Sequence, residues 1–298
     1  MVGEEVRDAL ADGRGVVALE TSVIGQGLPV PRNWECVERM SAAIRRAGAV
    51  PAWVGVIERS LVVGLDEPQL RRFAEAGVAT KVARRDYPVA LATSALGATT
   101  VSATIWAAGR AGVSVGATGG IGGVHPGEDL DVSADLLELA RTPGLLVCSG
   151  PKSIVDPYRT AERLEELGVA LIGYGVDRLP FFLSWEAPVD LEHRVDEPSE
   201  AAAALRASLA LGRQSTLLVC NPIPVAMAMD ASEVASVTRE AETRADAAGI
   251  SGKGRTPFLL SALADITGGR SLEANLALLE DNARVAAEIA GAAASMTT

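Results

Sequence analysis

Residues 113–150 read VSVGATGGIGGVHPGEDLDVSADLLELARTPGLLVCSG, and the order of elements in this stretch indicates the fold class. An apolar run of strand length, VSVGA, opens into a glycine-rich loop. A helical segment follows, with Ser133 as its expected N-cap, and the apolar run GLLVC comes next. Strand, loop, helix and strand in this order are typical of a sheet covered by helices, which predicts an α/β protein.

The same alternation continues upstream. VVALETS (16–22) and VPAWVGVI (50–57) have the composition of buried strands. Between them we predict a helix that Asn33 caps and Gly48 ends. VALAT (89–93) is predicted to be a further short strand.

Downstream the pattern becomes more helical. STLLVCNP (215–222) is predicted to be a strand, and the chain from Asp230 onward is predicted to be mainly helical. The alanine-rich tail after Ala286 is expected to be a frayed helix end. No linker, low-complexity segment or repeat divides the sequence, so we expect one domain over residues 1–298.

Composition restricts the possible partners. The 298 residues carry a net charge of −11, and 48% are hydrophobic. Because phosphate neutralisation needs clustered basic charge, nucleic acid is an unfavourable partner, whereas one small phosphorylated ligand is compatible with this charge. No apolar stretch is long enough to span a bilayer, and the N-terminus MVGEEVRDAL lacks the features of a signal peptide. We therefore expect a cytoplasmic protein without a membrane partner.

Cysteine and histidine usage disfavours two kinds of site. Cys36, Cys148 and Cys220 are far apart and form no CxxC motif, and His125 and His193 form no HExxH motif. A disulfide framework and a zinc site are both unfavourable interpretations. Cys148 and Cys220 end apolar runs, so we expect buried strand cysteines rather than nucleophiles.

Lysine is rare in this chain. Of the 27 basic residues, 24 are arginine and three are lysine: Lys81, Lys152 and Lys253. A desolvated lysine can lose its proton and attack carbon, whereas arginine is effectively always protonated. Each lysine lies at the end of a predicted element, which favours positions that require an amine. Codon bias with chance is the alternative interpretation of any one of them.

The glycine-rich loop GATGGIGGVHPG (116–127) is compatible with an anion site, because its backbone N–H groups can approach a ligand closely. A tight turn is the alternative. The loop lacks GxGxxG spacing, and no tyrosine is followed four residues later by lysine, which disfavours a dinucleotide site. Lys253 lacks the upstream glycine of a P-loop.

Four carboxylates stand out. Glu20 ends an apolar strand, where a charge is costly without a function or a partner. Asp129, Asp131 and Asp135 follow the glycine-rich loop, and oxygen ligands of this kind suit Mg²⁺ or Mn²⁺. The alternatives are a strand-end residue bonded to nearby amides for Glu20 and a favourable helix dipole for Asp129.

Several motifs in a fixed order resemble those of one family. They are ALETSVIGQGLPVPRN, KVARRD, GATTVSAT, ATGGIGGVHPG, DVSADLLELARTP, VCSGPKSIVD, NPIP, GKGRTPFLL and GGRSLEANLAL. Together they resemble the pseudouridine-5′-phosphate glycosidase family, also called indigoidine synthase A-like, from about Val16 to Ala290. The resemblance implies a three-layer α/β/α fold with a mixed sheet covered by helices, and a homotrimer.

The resemblance also implies the roles of site residues. Lys152 matches the nucleophile that bonds to C1′ of ribose 5-phosphate, Glu20 the general acid, and Asp131 the residue that serves a divalent metal, Mn²⁺ or Mg²⁺, largely through water. The substrate-binding positions implied are Lys81, Val101, Thr118, His125, Ser133, Ala134, Asp135 and Asn275.

The chemistry that the resemblance implies is cleavage or formation of a C–C glycosidic bond. Such a bond has no glycosidic oxygen to protonate, so an imine on neutral Lys152 would serve as the electron sink. Gln26 replaces a usual histidine of the family, which leaves the C1′ partner open between uracil and a pathway-specific aromatic or heterocyclic acceptor. Two different functions are also compatible with these residues: a sugar-phosphate-binding module without turnover and a lysine-dependent aldolase-like enzyme.

Overall fold

A computed structural model describes residues 1–75, 79–127, 131–250 and 252–296, with the Lys253 side chain excluded. Asp129 therefore lies outside the described residues. The described strands are β1 (Val16–Glu20), β2 (Val50–Ile57), β3 (Ser60–Val63), β4 (Thr80–Val82), β5 (Leu96–Thr99), β6 (Val115–Ala117), β7 (Gly144–Cys148), β8 (Leu171–Tyr174), β9 (His193–Val195) and β10 (Thr216–Cys220).

The described helices are α1 (Glu4–Ala11), α2 (Arg32–Arg46), α3 (Glu67–Ala74), α4 (Tyr87–Thr93), α5 (Val101–Arg110), α6 (Ala134–Leu139), α7 (Pro157–Glu166), α8 (Pro198–Ala210), α9 (Ala231–Ala247), α10 (Arg255–Ile266) and α11 (Arg270–Ser295). A π-helical turn spans Val23–Gly27, and single 3₁₀ turns span Arg84–Asp86, Val225–Met227 and Gly252–Gly254.

The strands join one mixed sheet in the order β4-β5-β2-β1-β6-β7-β10-β8-β9, with β3 paired to β2. Most neighbours are parallel, and β2 is antiparallel to both β3 and β5. Parallel neighbours need crossover connections, which explains why helices follow most strands. The predicted mixed sheet is confirmed.

Helices cover both faces of the sheet. Val17 and Leu19 of β1 point to one face and pack in a core with α2, α3 and α8–α11, whereas Val16 and Ala18 point to the other, with α1, α4 and α5. A further cluster on this second face joins β7 and β10 to α5, α6 and α7. The strands β1, β2, β6, β7 and β10 are buried on both sides, as their continuous apolar runs predict. The three-layer α/β/α prediction is confirmed.

Three local predictions are wrong. VALAT is not a strand but most of α4, which has a proline in its first turn. Asn33 does not cap α2, because the helix begins at Arg32 and the Asn33 amide donates to the carbonyls of Ile24 and Ala74. The tail after Ala286 is an ordered part of α11, since Ile289 and Ala290 are buried against the sheet. Ser133 caps α6, as predicted, and Asp230 caps α9 at the start of the region predicted to be mainly helical.

Among the described residues, none of the helices combines the length and apolarity that a membrane crossing needs.

Candidate active site

A cavity of about 330 Å³ lies where the carboxyl ends of β1, β6 and β7 meet the start of α5. Every site residue that the family resemblance implies lines it: Glu20, Lys81, Val101, Thr118, His125, Asp131, Ser133, Ala134, Asp135, Lys152 and Asn275. These residues come from separate segments of the chain, so the fold rather than sequence proximity brings them together.

The antiparallel strand β5 explains why α5 starts at this cavity. β2 runs three residues beyond the position that pairs with Glu20, and β5 pairs with that extension. The end of β5 therefore lies level with Glu20. Buried hydroxyl groups fix this arrangement, because Thr21 and Thr99 both donate to the Val54 carbonyl, at 2.7 and 2.6 Å. The first turn of α5 is thereby held beside Glu20.

The Glu20 carboxylate has a hydroxyl partner on each oxygen. Thr118 Oγ1 donates to Oε1 and Ser22 Oγ donates to Oε2, both at 2.5 Å. Glu20 is 8% exposed and lines the cavity. These bonds offset the cost of burying a carboxylate at a strand end and fix its orientation. Ser22 is a partner that sequence reasoning missed, although it stands two residues after Glu20.

Lys152 lies on the segment that leaves β7. It is half-buried, lines the cavity, and donates from Nζ to the carbonyl of Gly120. Two residues earlier, Gly150 has φ +74°, and a Cβ there would overlap the Pro180 carbonyl oxygen. Only glycine fits both the left-handed backbone and this close approach. The segment therefore turns sharply and directs the amine toward the glycine-rich loop.

The glycine-rich loop and the Lys152 segment run side by side. Ser149 N donates to the Gly119 carbonyl, and Ile121 exchanges backbone bonds with Gly150 and Lys152 at 3.0 to 3.1 Å. At Gly122 a Cβ would lie 2.6 Å from Ser133 Cβ, so this glycine permits the α6 cap to approach. The loop is consequently a wall of the cavity.

Asp135 is buried and holds the loop through both carboxylate oxygens. Oδ1 accepts from the backbone N–H of Ser102 at 3.0 Å, and Oδ2 accepts from that of Gly122 at 3.1 Å. It therefore ties the first turn of α5 to the glycine-rich loop. It also lines the cavity, and these contacts give it a structural role.

We expect Asp135→Asn to lower the free energy of unfolding by about 1–3 kcal/mol, because its amide group turns one donor toward a backbone N–H that then lacks an acceptor. Urea unfolding measures the change. Asp66→Ala, which removes an exposed capping box on α3, is the matched control and should cost about 1 kcal/mol. An Asp135→Asn protein as stable as the wild type would contradict this assignment.

The possible metal ligands around Asp131 suit only a cation that keeps most of its water ligands. Asp131 is exposed at the cavity edge, and its carbonyl accepts from His125 N. In the described part of the chain, no three His, Cys, Asp or Glu side chains are grouped to hold a metal ion. Since Mg²⁺ and Mn²⁺ are often held by one or two carboxylates and several waters, Asp131 fits a hydrated ion and not a protein cage.

Positive charge lies at the β4 side of the cavity. Lys81 on β4 is half-buried, and the 66% exposed Arg85 side chain lies 3.8 Å from the Asp86 carboxylate. The start of α5, whose N-terminal backbone amides carry partial positive charge, lies on the same side. This part of the cavity is suited to an anion. Arg85 was not named from the sequence.

Phe182, which lines the cavity, and Asn282, which bonds to the glycine-rich loop, have no signal in the sequence. Phe182 is buried with φ +54°, a conformation that a bulky residue rarely adopts, and it packs against Gly120. Its N–H donates to the Ser149 carbonyl, which holds it at the exit of β7. Asn282 of α11 is fully buried and bonds to the glycine-rich loop from the opposite side. Neither side chain belongs to a pattern that predicts such a position.

A second cavity of about 330 Å³ adjoins the first. Both cavities are lined by Gln26, Phe182 and Asn275, and the walls of the second are mainly apolar. Gln26, which replaces the usual histidine of the family, therefore stands at the junction of the two cavities. Its Nε2 donates to the Ala79 carbonyl at 2.8 Å.

The cysteines are buried, as predicted. Cys148 and Cys220 end the paired strands β7 and β10, and a side-chain hydrogen bond with Cys148, together with burial, raises the pKa of Cys220. Burial raises the pKa of the Cys36 thiol to about 12. The thiol form is therefore favoured at Cys36 and Cys220, which disfavours a nucleophilic role.

The chain is similar to proteins whose activity is named. It is 49% identical over 290 residues to Pseudouridine-5′-phosphate glycosidase of Myxococcus xanthus, with 96% of each chain covered. It is 46% identical over 296 residues to Pseudouridine-5′-phosphate glycosidase of Saccharopolyspora erythraea, covering 99% of this chain and 98% of that one.

Two solved structures share the fold. The prealnumycin C-glycosynthase AlnA, in complex with ribulose 5-phosphate, superposes with a TM-score of 0.90 and 41% identity, covering 100% of this chain and 97% of that one. An indigoidine synthase A-like protein from Thermotoga maritima gives a TM-score of 0.88 and 37% identity, and the match covers 94% of this chain and 93% of that one. The family model described as indigoidine synthase A like protein matches residues 5–292. The chain therefore belongs to the indigoidine synthase A-like family.

Proposed function

We propose that the protein makes or breaks the C–C bond between C1′ of ribose 5-phosphate and a base, with pseudouridine 5′-phosphate and water as the default reactants and ribose 5-phosphate and uracil as the products. The observation that carries this proposal is that Glu20 and Lys152 line one cavity whose β4 side is positively charged. Relatives that match nearly the full length of the chain are named for this reaction.

The reaction needs an acid and an amine. Glu20 would protonate the ribose ring oxygen as the ring opens, and the Lys152 amine would bond to C1′. The bound nitrogen would then return a proton to the Glu20 carboxylate, and its freed lone pair would form the C1′=N bond as the bond to the base breaks and the base carbon takes up a proton. Water adds to C1′ of the iminium and releases open-chain ribose 5-phosphate and the free amine. In the synthetic direction the same steps run in reverse.

The phosphate end of the substrate would lie on the β4 side of the cavity. Lys81 supplies a positive charge, and Val101 begins α5, where backbone N–H groups favour an anion. Thr118, His125 and Ser133 would complete the contacts to the sugar phosphate. Asn275, which lies at the junction with the second cavity, would contact the base.

Two finer features belong to the proposal. Asp131 would hold a hydrated Mn²⁺ or Mg²⁺ and orient its water ligands, and the ion would supply positive charge to the site. The protein would assemble as a homotrimer, which light scattering would reveal as three times the mass of one chain.

The proposal is tested by two assays on the wild-type protein. Incubation with ribose 5-phosphate and borohydride should add a reduced pentose phosphate to Lys152, located by peptide mass. Ribose 5-phosphate with uracil should yield pseudouridine 5′-phosphate, and the reverse reaction should release uracil. Absence of any adduct would favour a binding module without turnover. An adduct elsewhere than Lys152 would overturn the proposed nucleophile.

A second candidate is a C-ribosyl synthase that joins ribose 5-phosphate to an aromatic or heterocyclic acceptor. The adjoining cavity favours it, because it offers space for a group larger than uracil. The similarity to AlnA, a C-glycosynthase, supports it as well. A Lys152 adduct combined with neither formation nor cleavage of pseudouridine 5′-phosphate would select this candidate.

A further inference from the structure

One turn of the glycine-rich loop contacts both proposed catalytic groups. Thr118 Oγ1 donates to the Glu20 carboxylate, and the Gly120 carbonyl accepts from Lys152 Nζ. Only Gly119 separates the two positions. A shift of this turn would therefore move the partners of the acid and the amine together.

A buried side-chain amide adds to the backbone bonds that hold this turn. Asn282 Nδ2 donates to the Thr118 carbonyl at 2.8 Å and lies 3.3 Å from the Gly119 carbonyl. It also donates to Ser149 Oγ at 3.1 Å, at the exit of β7 toward Lys152. Asn282 is completely buried, so water does not compete for these carbonyls.

The other end of the amide is fixed as well. Asn221 Nδ2, at the end of β10, donates to Asn282 Oδ1 at 3.0 Å and to Asp281 Oδ2 at 2.9 Å. The Asn282 amide orientation follows from this network, because its oxygen faces a donor while its nitrogen faces carbonyls. It thus links the exits of β6, β7 and β10 to α11.

We propose that Asn282 is a positioning residue for the reaction, which sets the placement of Glu20 relative to Lys152 through the Thr118–Gly120 turn. This inference rests on the proposed function. A displacement of about 1 Å is enough to slow a reaction that depends on aligned groups by about 100-fold. Asn282 contacts neither reacting group directly, so its effect passes through the turn.

The matched pair Asn282→Leu and Asn221→Leu tests the proposal. Both changes replace a buried amide of the same network with an apolar side chain of similar size, but only the first removes the bonds to Thr118 and Gly119. Asn282→Asp, which keeps the shape and loses the donor, is the second variant. The readouts are the urea midpoint, kcat and KM for pseudouridine 5′-phosphate, and the rate of borohydride-trapped adduct at saturating ribose 5-phosphate.

We expect both Asn282 variants to lower kcat and the trapping rate by about 10- to 100-fold with KM within about threefold of wild type. Asn221→Leu should lose comparable stability yet keep kcat within about threefold. Equal kcat losses in the two leucine variants, a change in KM alone, or failure of both Asn282 variants to fold where Asn221→Leu folds would each overturn the proposal. If the wild type traps no ribose 5-phosphate, the proposed function itself fails.

Discussion

Lys152→Arg is expected to lower the rate of pseudouridine 5′-phosphate cleavage by about 10³-fold or more, as removal of a covalent nucleophile does in other enzymes. Arginine is a long side chain that can still donate to the Gly120 carbonyl. Its guanidinium is effectively always protonated and forms no imine with C1′. The protein should therefore fold and bind ribose 5-phosphate while borohydride trapping disappears.

Lys81→Arg is the matched control, because it makes the same change on another lysine of the cavity. Since a point charge suffices for a phosphate contact, the adduct at Lys152 should persist in this variant. Peptide mass mapping after borohydride compares the two. An adduct of ribose 5-phosphate in the Lys152→Arg protein, or equal loss in both variants, would rule out Lys152 as the amine.

Glu20→Gln is expected to lower kcat/KM by about 10²- to 10⁴-fold, the usual contribution of a general acid. Glutamine has nearly the same shape, and its carbonyl oxygen can still accept from Thr118 or Ser22. It cannot give a proton to the ribose ring oxygen. Stability should change by less than about 1 kcal/mol, comparable to one hydrogen bond, so the loss reports chemistry rather than unfolding.

Ser22→Ala controls for the environment of the carboxylate. It removes one hydroxyl donor and leaves Glu20 and Thr118 in place. We expect a decrease of at most about tenfold in kcat/KM, consistent with one hydrogen bond. Steady-state rates at saturating and limiting substrate separate the two variants, and a Glu20→Gln enzyme within about fivefold of wild type would remove Glu20 from the mechanism.

The sequence predicts the sheet and its covering helices because their signals are local. Each buried strand is a short apolar run, and Ser133 and Asp230 act as caps within their own turns. The VALAT prediction was wrong because a short apolar run does not distinguish a strand from a helix. Pro88, in the first turn of α4, was the better signal, since it favours the start of a helix. The Asn33 prediction failed because its partners, Ile24 and Ala74, belong to other elements.

The residues of the candidate site likewise divide into those that the sequence indicates and those that it does not. Glu20 and Lys152 stand out by residue type, one as a charge on an apolar strand and the other as a rare amine, and the family resemblance supplied the remaining positions. Asn282 and Phe182 act through contacts made only after α11 and the β8–β9 region have packed. Arg85 is one of 24 arginines, and although it stands in the KVARRD motif, nothing there separates it from Arg84.

The helix α11 has a consequence for how the protein is made. It lies across β1, β6 and β7 and carries both Asn275 and Asn282, although it is the last helix of the described chain. A growing chain that has not reached residue 270 therefore contains Glu20 and Lys152 but lacks α11. The bonds from Asn282 to the Thr118–Gly120 turn can therefore form only after residues 270–295 have been added to the chain.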